Sequence, residues 1–158
     1  MSGGDDIQRL ADYHAISDLA VRYCSAVDRR DWDLLAEVFL PDATVRLPPS
    51  VAIRGSHEIV SRYRRGLERF DATHHMVSNH EIAVDGDSAR HTCLVHAQHV
   101  LHDAPGGSTY VIGGRSPDQM VRTRQGWRIA HRELAFIWTE GNPSVFRTNP
   151  DTRRRAEP

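Results

Sequence analysis

The chain has 158 residues, 39% hydrophobic and 26% charged, which is the length of one domain able to bury a core. Twenty Lys and Arg against 21 Asp and Glu give a formal net charge of −1. That balance excludes a general binder of nucleic acid or anionic membrane, which needs a basic surplus to neutralise phosphates.

The first third reads helical. A short helical turn over Ile7 to Leu10 precedes a longer helix in which Ile16, Leu19, Ala20, Tyr23 and Val27 form one apolar stripe. Asp12, Asp18, Arg22 and Ser25 fall away from that stripe. Trp32, Leu35, Ala36, Val38 and Phe39 make a second short helix, ended by Pro41. Ala43 to Leu47 is extended and is broken by Pro48-Pro49. Gly55-Ser56 then offers an N-cap to a third helix carrying Ile59, Val60, Tyr63, Leu67 and Phe70.

After Phe70 the period changes from 3.6 to 2. His75 to Val84 reads as a strand, stopped by the hairpin signal Asp85-Gly86-Asp87. Ala89 to Leu101, Thr109 to Thr123 and Trp127 to Trp138 read as three more strands, with Gly113-Gly114 as a bend inside the second of them. Helices followed by a strand meander predict an α+β fold, a curved antiparallel sheet wrapped over the N-terminal helices. Residues 1–142 are read as one domain, and 143–158 as an irregular tail.

Several chemistries are absent from this sequence. All twenty basic side chains are arginine, so no lysine can form a Schiff base or serve a P-loop. Cys24 and Cys93 are too few for a disulfide scaffold, and no C-x-x-C spacing or G-x-S-x-G occurs. The ten histidines raise the question of metal, but His96 and His99 lie three apart on a strand and face opposite ways, and there is no H-E-x-x-H. No metal and no cofactor are expected. The stretch MSGGDDIQRL lacks a signal-peptide pattern, and no apolar run approaches the roughly 20 residues of a membrane span, so a cytoplasmic location without membrane partners is expected.

Proton transfer remains. Asp28 falls near the end of the long helix, at the edge of its apolar stripe, where the helix dipole disfavours a carboxylate. Alone it reads more readily as a solvated Asp beside Arg29 and Arg30. A partner is offered by the strand start Thr73-His74-His75-Met76-Val77-Ser78-Asn79, where alternation puts His75, Val77 and Asn79 on one face. An ionised Asp beside a neutral His fixes the imidazole tautomer and stabilises the imidazolium formed on proton uptake. On the next strand Cys93, Val95, Ala97, His99 and Leu101 share the more apolar face, so His99 is expected in a pocket and His96 toward solvent. Tyr23 is a buried phenol that needs a hydrogen-bond partner.

These stretches resemble the SnoaL-like branch of the nuclear transport factor 2-like superfamily. The resemblance runs through Ala15-Ile16-Ser17-Asp18-Leu19, Arg22-Tyr23, Val27-Asp28-Arg29-Arg30-Asp31-Trp32, Phe39-Leu40-Pro41-Asp42-Ala43, His74 to Asn79, Ile112-Gly113-Gly114-Arg115 and Gly126-Trp127-Arg128-Ile129. It implies a cone-shaped α+β fold with a deep pocket. Within the family the chain is similar to the dehydratase-like lyases, among them scytalone dehydratase, bile-acid dehydratase and hexachlorocyclohexane dehydrochlorinase. By that likeness the helix-end Asp matches Asp28, the strand histidine matches His75, a pocket tyrosine matches Tyr23, and a second acid–base group matches His99 or, with a slipped alignment, His96. A pocket lysine carried by some relatives is missing, which argues against halide elimination. The resemblance implies a cofactor-independent dehydratase acting on a small hydrophobic carbonyl, polyketide, steroid-like or aromatic substrate, and a homodimer or homotrimer. Isomerases, cyclases, and non-catalytic dioxygenase β-like or ligand-binding members of the family are the alternatives.

Overall fold

The computed structural model describes residues 3–49 and 51–147. Its elements in chain order are α1 (Gly3–Arg29), α2 (Trp32–Val38), β1 (Phe39–Leu47), β2 (Val51–Arg54), α3 (Ser56–Leu67), β3 (Ala72–Asp85), β4 (Ser88–Val100), β5 (Thr109–Thr123), β6 (Gly126–Glu133), β7 (Ala135–Gly141) and a single turn, α4 (Ser144–Arg147). The strands form one curled sheet ordered β2-β1-β6-β5-β4-β3, with β7 also paired to β5. Helices packed against a curved sheet are the α+β cone expected from the sequence. The sheet is antiparallel except for β1 and β6, which run parallel.

The helical stripe forms as its spacing predicts: Ile16, Leu19, Ala20, Tyr23 and Val27 are all buried. Two details differ. The turn over Ile7 to Leu10 is continuous with the long helix, giving 27 residues or about 40 Å of α1. Asp12, expected to face away from the core, is buried. The sheet curls far enough round α1 to meet it, and Arg122 grips both Asp12 oxygens at 2.6 and 2.8 Å while the Trp127 indole donates at 3.1 Å. The Arg122 hydrogen bonds hold this carboxyl at about 2.

The end of α1 sets the site. Arg30 sits at φ +60, and the N–H groups of Arg30 and Asp31 return to the carbonyls of Val27 and Ala26, which is a Schellman closure made without glycine. A left-handed arginine costs about 1–2 kcal/mol. Its guanidinium offsets part of this by donating to the Val27 carbonyl at 2.7 Å and the Thr73 hydroxyl at 2.8 Å. Asp31 then caps α2 by accepting from the Leu34 N–H.

Downstream, Phe39 and Pro41 belong to β1, not to the second helix, and Phe70 lies beyond α3 although it is buried. Gly55 takes the N-cap position of α3 with no side-chain cap, so Ser56 does not cap it. The stretch Trp127 to Trp138 is two strands. It breaks at Leu134, and β6 and β7 pair with opposite halves of β5. Gly113 and Gly114 permit this crossing, because a Cβ at Gly113 would meet the Trp138 indole at 2.0 Å and one at Gly114 the Ala135 carbonyl oxygen at 2.6 Å. In α4, Val145 is fully buried, and Arg69 clamps the Val145 and Phe146 carbonyls at 2.9 and 2.8 Å. The rest of the expected irregular tail lies outside the described residues.

Candidate active site

The helix end and the strand start meet. His75 Nδ1 lies 2.7 Å from Asp28 Oδ1, the His75 backbone N–H donates to Asp28 Oδ2 at 2.8 Å, and the Thr73 hydroxyl donates to Oδ1 at 2.9 Å. Arg30 in turn donates to Thr73, so the carboxylate sits in a shell of donors anchored on the α1 closure. Burial works to raise the Asp28 carboxyl. The His75 ring, the His75 backbone and Thr73 outweigh it and hold the group below the ordinary carboxylate range. An ionised Asp28 on Nδ1 fixes the N–H there and leaves the neutral imidazole's lone pair on Nε2.

His75 lines an inner cavity of about 130 Å³, with Tyr23, Tyr63, His99, Arg132 and Phe146 also in its wall. An outer cavity of about 510 Å³ shares Tyr63, Leu67, Ile112, Phe136 and Phe146 with it. Together they reach the size range of small-molecule sites, which the inner chamber alone does not.

Alternation along β4 holds. His99 is 4% exposed and lines the cavity, while His96, expected toward solvent, is half-buried on the other face with its Nδ1 buried and its ring 6.1 Å from Trp138, which covers it. Burial, followed by the His75 charge, pushes His99 down to about 4, so it is neutral at neutral pH. Its Nδ1 is buried without a hydrogen-bond partner. Its ring stands edge-on to His75 at 5.5 Å. Along β3 the alternation holds only at first. Thr73, His75 and Val77 are half-buried and His74, Met76 and Ser78 exposed, but a register shift follows Ser78 and Asn79 adopts φ +54. This bulge turns Asn79 outward and His80 inward, so Asn79 does not share the His75 face.

Tyr23 finds its partner in Tyr63, donating its hydroxyl at 2.9 Å, so the Tyr63 hydrogen is left to point elsewhere. Burial raises both phenols. The Arg132 guanidinium lies 4.1 Å over the Tyr23 ring. Arg132 is 2% exposed and makes a two-pronged pair with Asp118 at 2.8 and 2.7 Å; Asp118 also takes His91 Nδ1 at 3.0 Å and the Ser116 hydroxyl at 3.1 Å. Burial pushes the Cys24 and Cys93 thiols up to about 12 and about 11, so neither is a thiolate nucleophile at neutral pH.

Sequence reasoning missed Arg132, Asp118 and Tyr63. In the sequence Tyr63 stands out only as one member of an apolar stripe. Asp118 and Arg132 carried a usable signal: strand alternation puts Asp118 on the same face as the buried Ser116 and Met120. A charge at an inward position calls for an inward partner.

A family model described as a SnoaL-like domain matches residues 8–133. The chain belongs to the SnoaL-like family. An uncharacterized protein of Mycobacterium tuberculosis strain H37Rv is 32% identical over 129 residues, covering 80% of this chain and 86% of that protein. Among solved structures, the Kfla4162 protein from Kribbella flavida superposes with a TM-score of 0.83 at 24% identity, covering 89% of this chain and 99% of that one. A proposed scytalone dehydratase from Novosphingobium aromaticivorans superposes with a TM-score of 0.77 at 24% identity, covering 85% and 89%. These two solved structures share the fold of this chain, and among the described residues no helix is long and apolar enough to cross a membrane.

Proposed function

We propose that this SnoaL-like protein is a lyase of the dehydratase type, acting on a small hydrophobic β-hydroxy carbonyl compound. The observation that carries the reading is the 2.7 Å Asp28–His75 contact at the wall of a largely apolar cavity that also holds Tyr63 and Arg132. The fold shared with a proposed scytalone dehydratase supports the same class.

His75 Nε2 takes the proton from the carbon beside the carbonyl, and Asp28 stabilises the imidazolium that results. The electron pair moves to the carbonyl oxygen. The Tyr63 hydroxyl, itself hydrogen-bonded by Tyr23, and the Arg132 charge stabilise the enolate formed there. The enolate then expels the β-hydroxyl, which takes the proton from His75 and leaves as water. Tyr23 thus acts through Tyr63. His99, neutral and with an unpaired Nδ1, accepts a hydrogen bond from a substrate hydroxyl.

Exchange of the α-proton tests this before the natural substrate is known. A panel of hydrophobic β-hydroxy ketones in deuterated buffer is followed by NMR for deuterium uptake and loss of water. His75→Ala is expected to lower the rate about 10²–10⁴-fold and Asp28→Asn to remove most of it, with both variants folded. Undiminished exchange in His75→Ala would discard the reading. Exchange without loss of water would assign the same base to an isomerase or cyclase.

A further inference from the structure

A second histidine cluster lies away from the Asp28–His75 pair. His80 on β3 and His91 and Cys93 on β4 each offer one ligand atom within 4.8 Å of the others. His91 and Cys93 are buried and His80 is half-buried. His80 Nδ1 is 2.9 Å from His91 Nε2, and His91 Nδ1 is 3.0 Å from Asp118.

We propose that His80, His91 and Cys93 bind a zinc-class divalent cation, with Asp118 as the outer carboxylate that orients His91. Three observations converge on this site. The Asp118 carboxylate, paired with Arg132, takes the N–H of His91 Nδ1 and so leaves Nε2 with a lone pair aimed at His80. A carboxylate behind a ligating imidazole is the usual support of a zinc-bound histidine. The bulge with left-handed Asn79 turns His80 to this side of the sheet; regular alternation would turn it away. Two imidazoles and a sulfur suit zinc-class cations and not magnesium or calcium, which prefer oxygen.

The three ligand atoms, within 4.8 Å of one another, must draw to zinc distances. Tetrahedral zinc holds two nitrogens about 3.3 Å apart and a nitrogen and sulfur about 3.6 Å apart. The His80–His91 gap needs to open by only a few tenths of an ångström from its present 2.9 Å. On binding, the Cys93 S–H bond breaks, the sulfur keeps its electron pair for the metal, and the proton leaves to solvent. The His80 proton moves from Nδ1 to Nε2, and His91 loses none. Such a site would staple β3 to β4 at the bulge. Cys93 lies four residues along β4 from Ala97, the register partner of His75, so the metal would sit about 13 Å from the proposed base. The proposal does not rest on the proton-transfer reading, although Asp118 also holds Arg132 and Cys93 lines the same inner cavity as His75.

The test uses the full chain without a histidine tag, stripped with chelator and titrated with zinc by calorimetry and with cobalt by absorbance. One equivalent of each is expected to bind, with a thiolate-to-cobalt charge-transfer band. Cys93→Ser should lose the band and about a hundredfold or more in zinc affinity, and His80→Gln about tenfold or more. His75→Ala should bind as tightly as the parent, which separates this site from the Asp28 pair. Circular dichroism of the metal-free variants checks folding, and the half-buried His80→Gln decides should Cys93→Ser misfold. No stoichiometric uptake, cobalt uptake without the band, or undiminished zinc affinity in the folded variants would overturn the proposal.

Discussion

Asp28–His75 and Asp118–His91 are both aspartate–imidazole pairs, at 2.7 and 3.0 Å, and they differ in what surrounds them. The side chains of the first are 21% and 10% exposed and those of the second are both fully buried. Asp28 is held low chiefly by hydrogen bonds from the His75 ring and backbone, with the His75 charge and the Thr73 hydroxyl adding to them, and Arg30 lies near enough to feel its charge. Asp118 is held below the ordinary carboxylate range against its burial chiefly by the Arg132 charge, and the free nitrogen of its histidine is already taken by His80. One pair therefore keeps a ring nitrogen for the cavity, and the other spends both nitrogens inside the protein. Contact geometry alone does not separate the proposed proton-transfer pair from the buried one; they differ in the neighbours of the second nitrogen.

The same substitution at both aspartates breaks the comparison most sharply. Asp118→Asn leaves the Arg132 charge buried without its counter-ion and is expected to cost about 3–5 kcal/mol in urea unfolding. Equal costs for Asp118→Asn and Asp28→Asn would mean that burial does not separate the pairs. The next effect is a pH dependence from His99, which lies beside only the first pair. Its folded value of about 4 is below the roughly 6.5 of the unfolded chain, so the unfolded state binds the proton first as pH falls. Its contribution is complete above pH 6.5 and is lost toward pH 4, roughly 2 kcal/mol of it by pH 5. His99→Phe should flatten the stability profile between those limits, and a profile parallel to that of the parent would contradict the buried neutral state. The smallest effect is expected for Asp28→Asn, about 1–2 kcal/mol of stability, since solvent reaches the site. A larger loss in thermal unfolding would make Asp28 chiefly structural.

The legible parts of the molecule were those written in local spacing. The α1 stripe, the inward side of β4 with His99 on it, and the placing of Asp28 at a helix end with His75 at a strand start all follow from periods of 3.6 and 2. What escaped depends on register. His91, Asp118 and Arg132 stand directly opposite one another on three adjacent strands, and nothing local fixes which residues of β4, β5 and β6 become partners. The bulge at Asn79 was hidden for the same reason, since a one-residue insertion reverses alternation without a proline or glycine to announce it. Asp12 was misread because an amphipathic helix reports one buried face, whereas a sheet that curls round the helix buries a wider arc.

The bond from the His75 backbone N–H to Asp28 has a further consequence. β3 is the last strand of the sheet, and its outer edge is the kind of surface that recruits a strand from another chain. At His75 that edge donor is already taken by a carboxylate from the helix. A slip of β3 by one residue would present His74 or Met76 to Asp28 and turn the imidazole to the opposite face. Loss of Asp28 should free that one edge donor, with aggregation at high protein concentration as the expected sign.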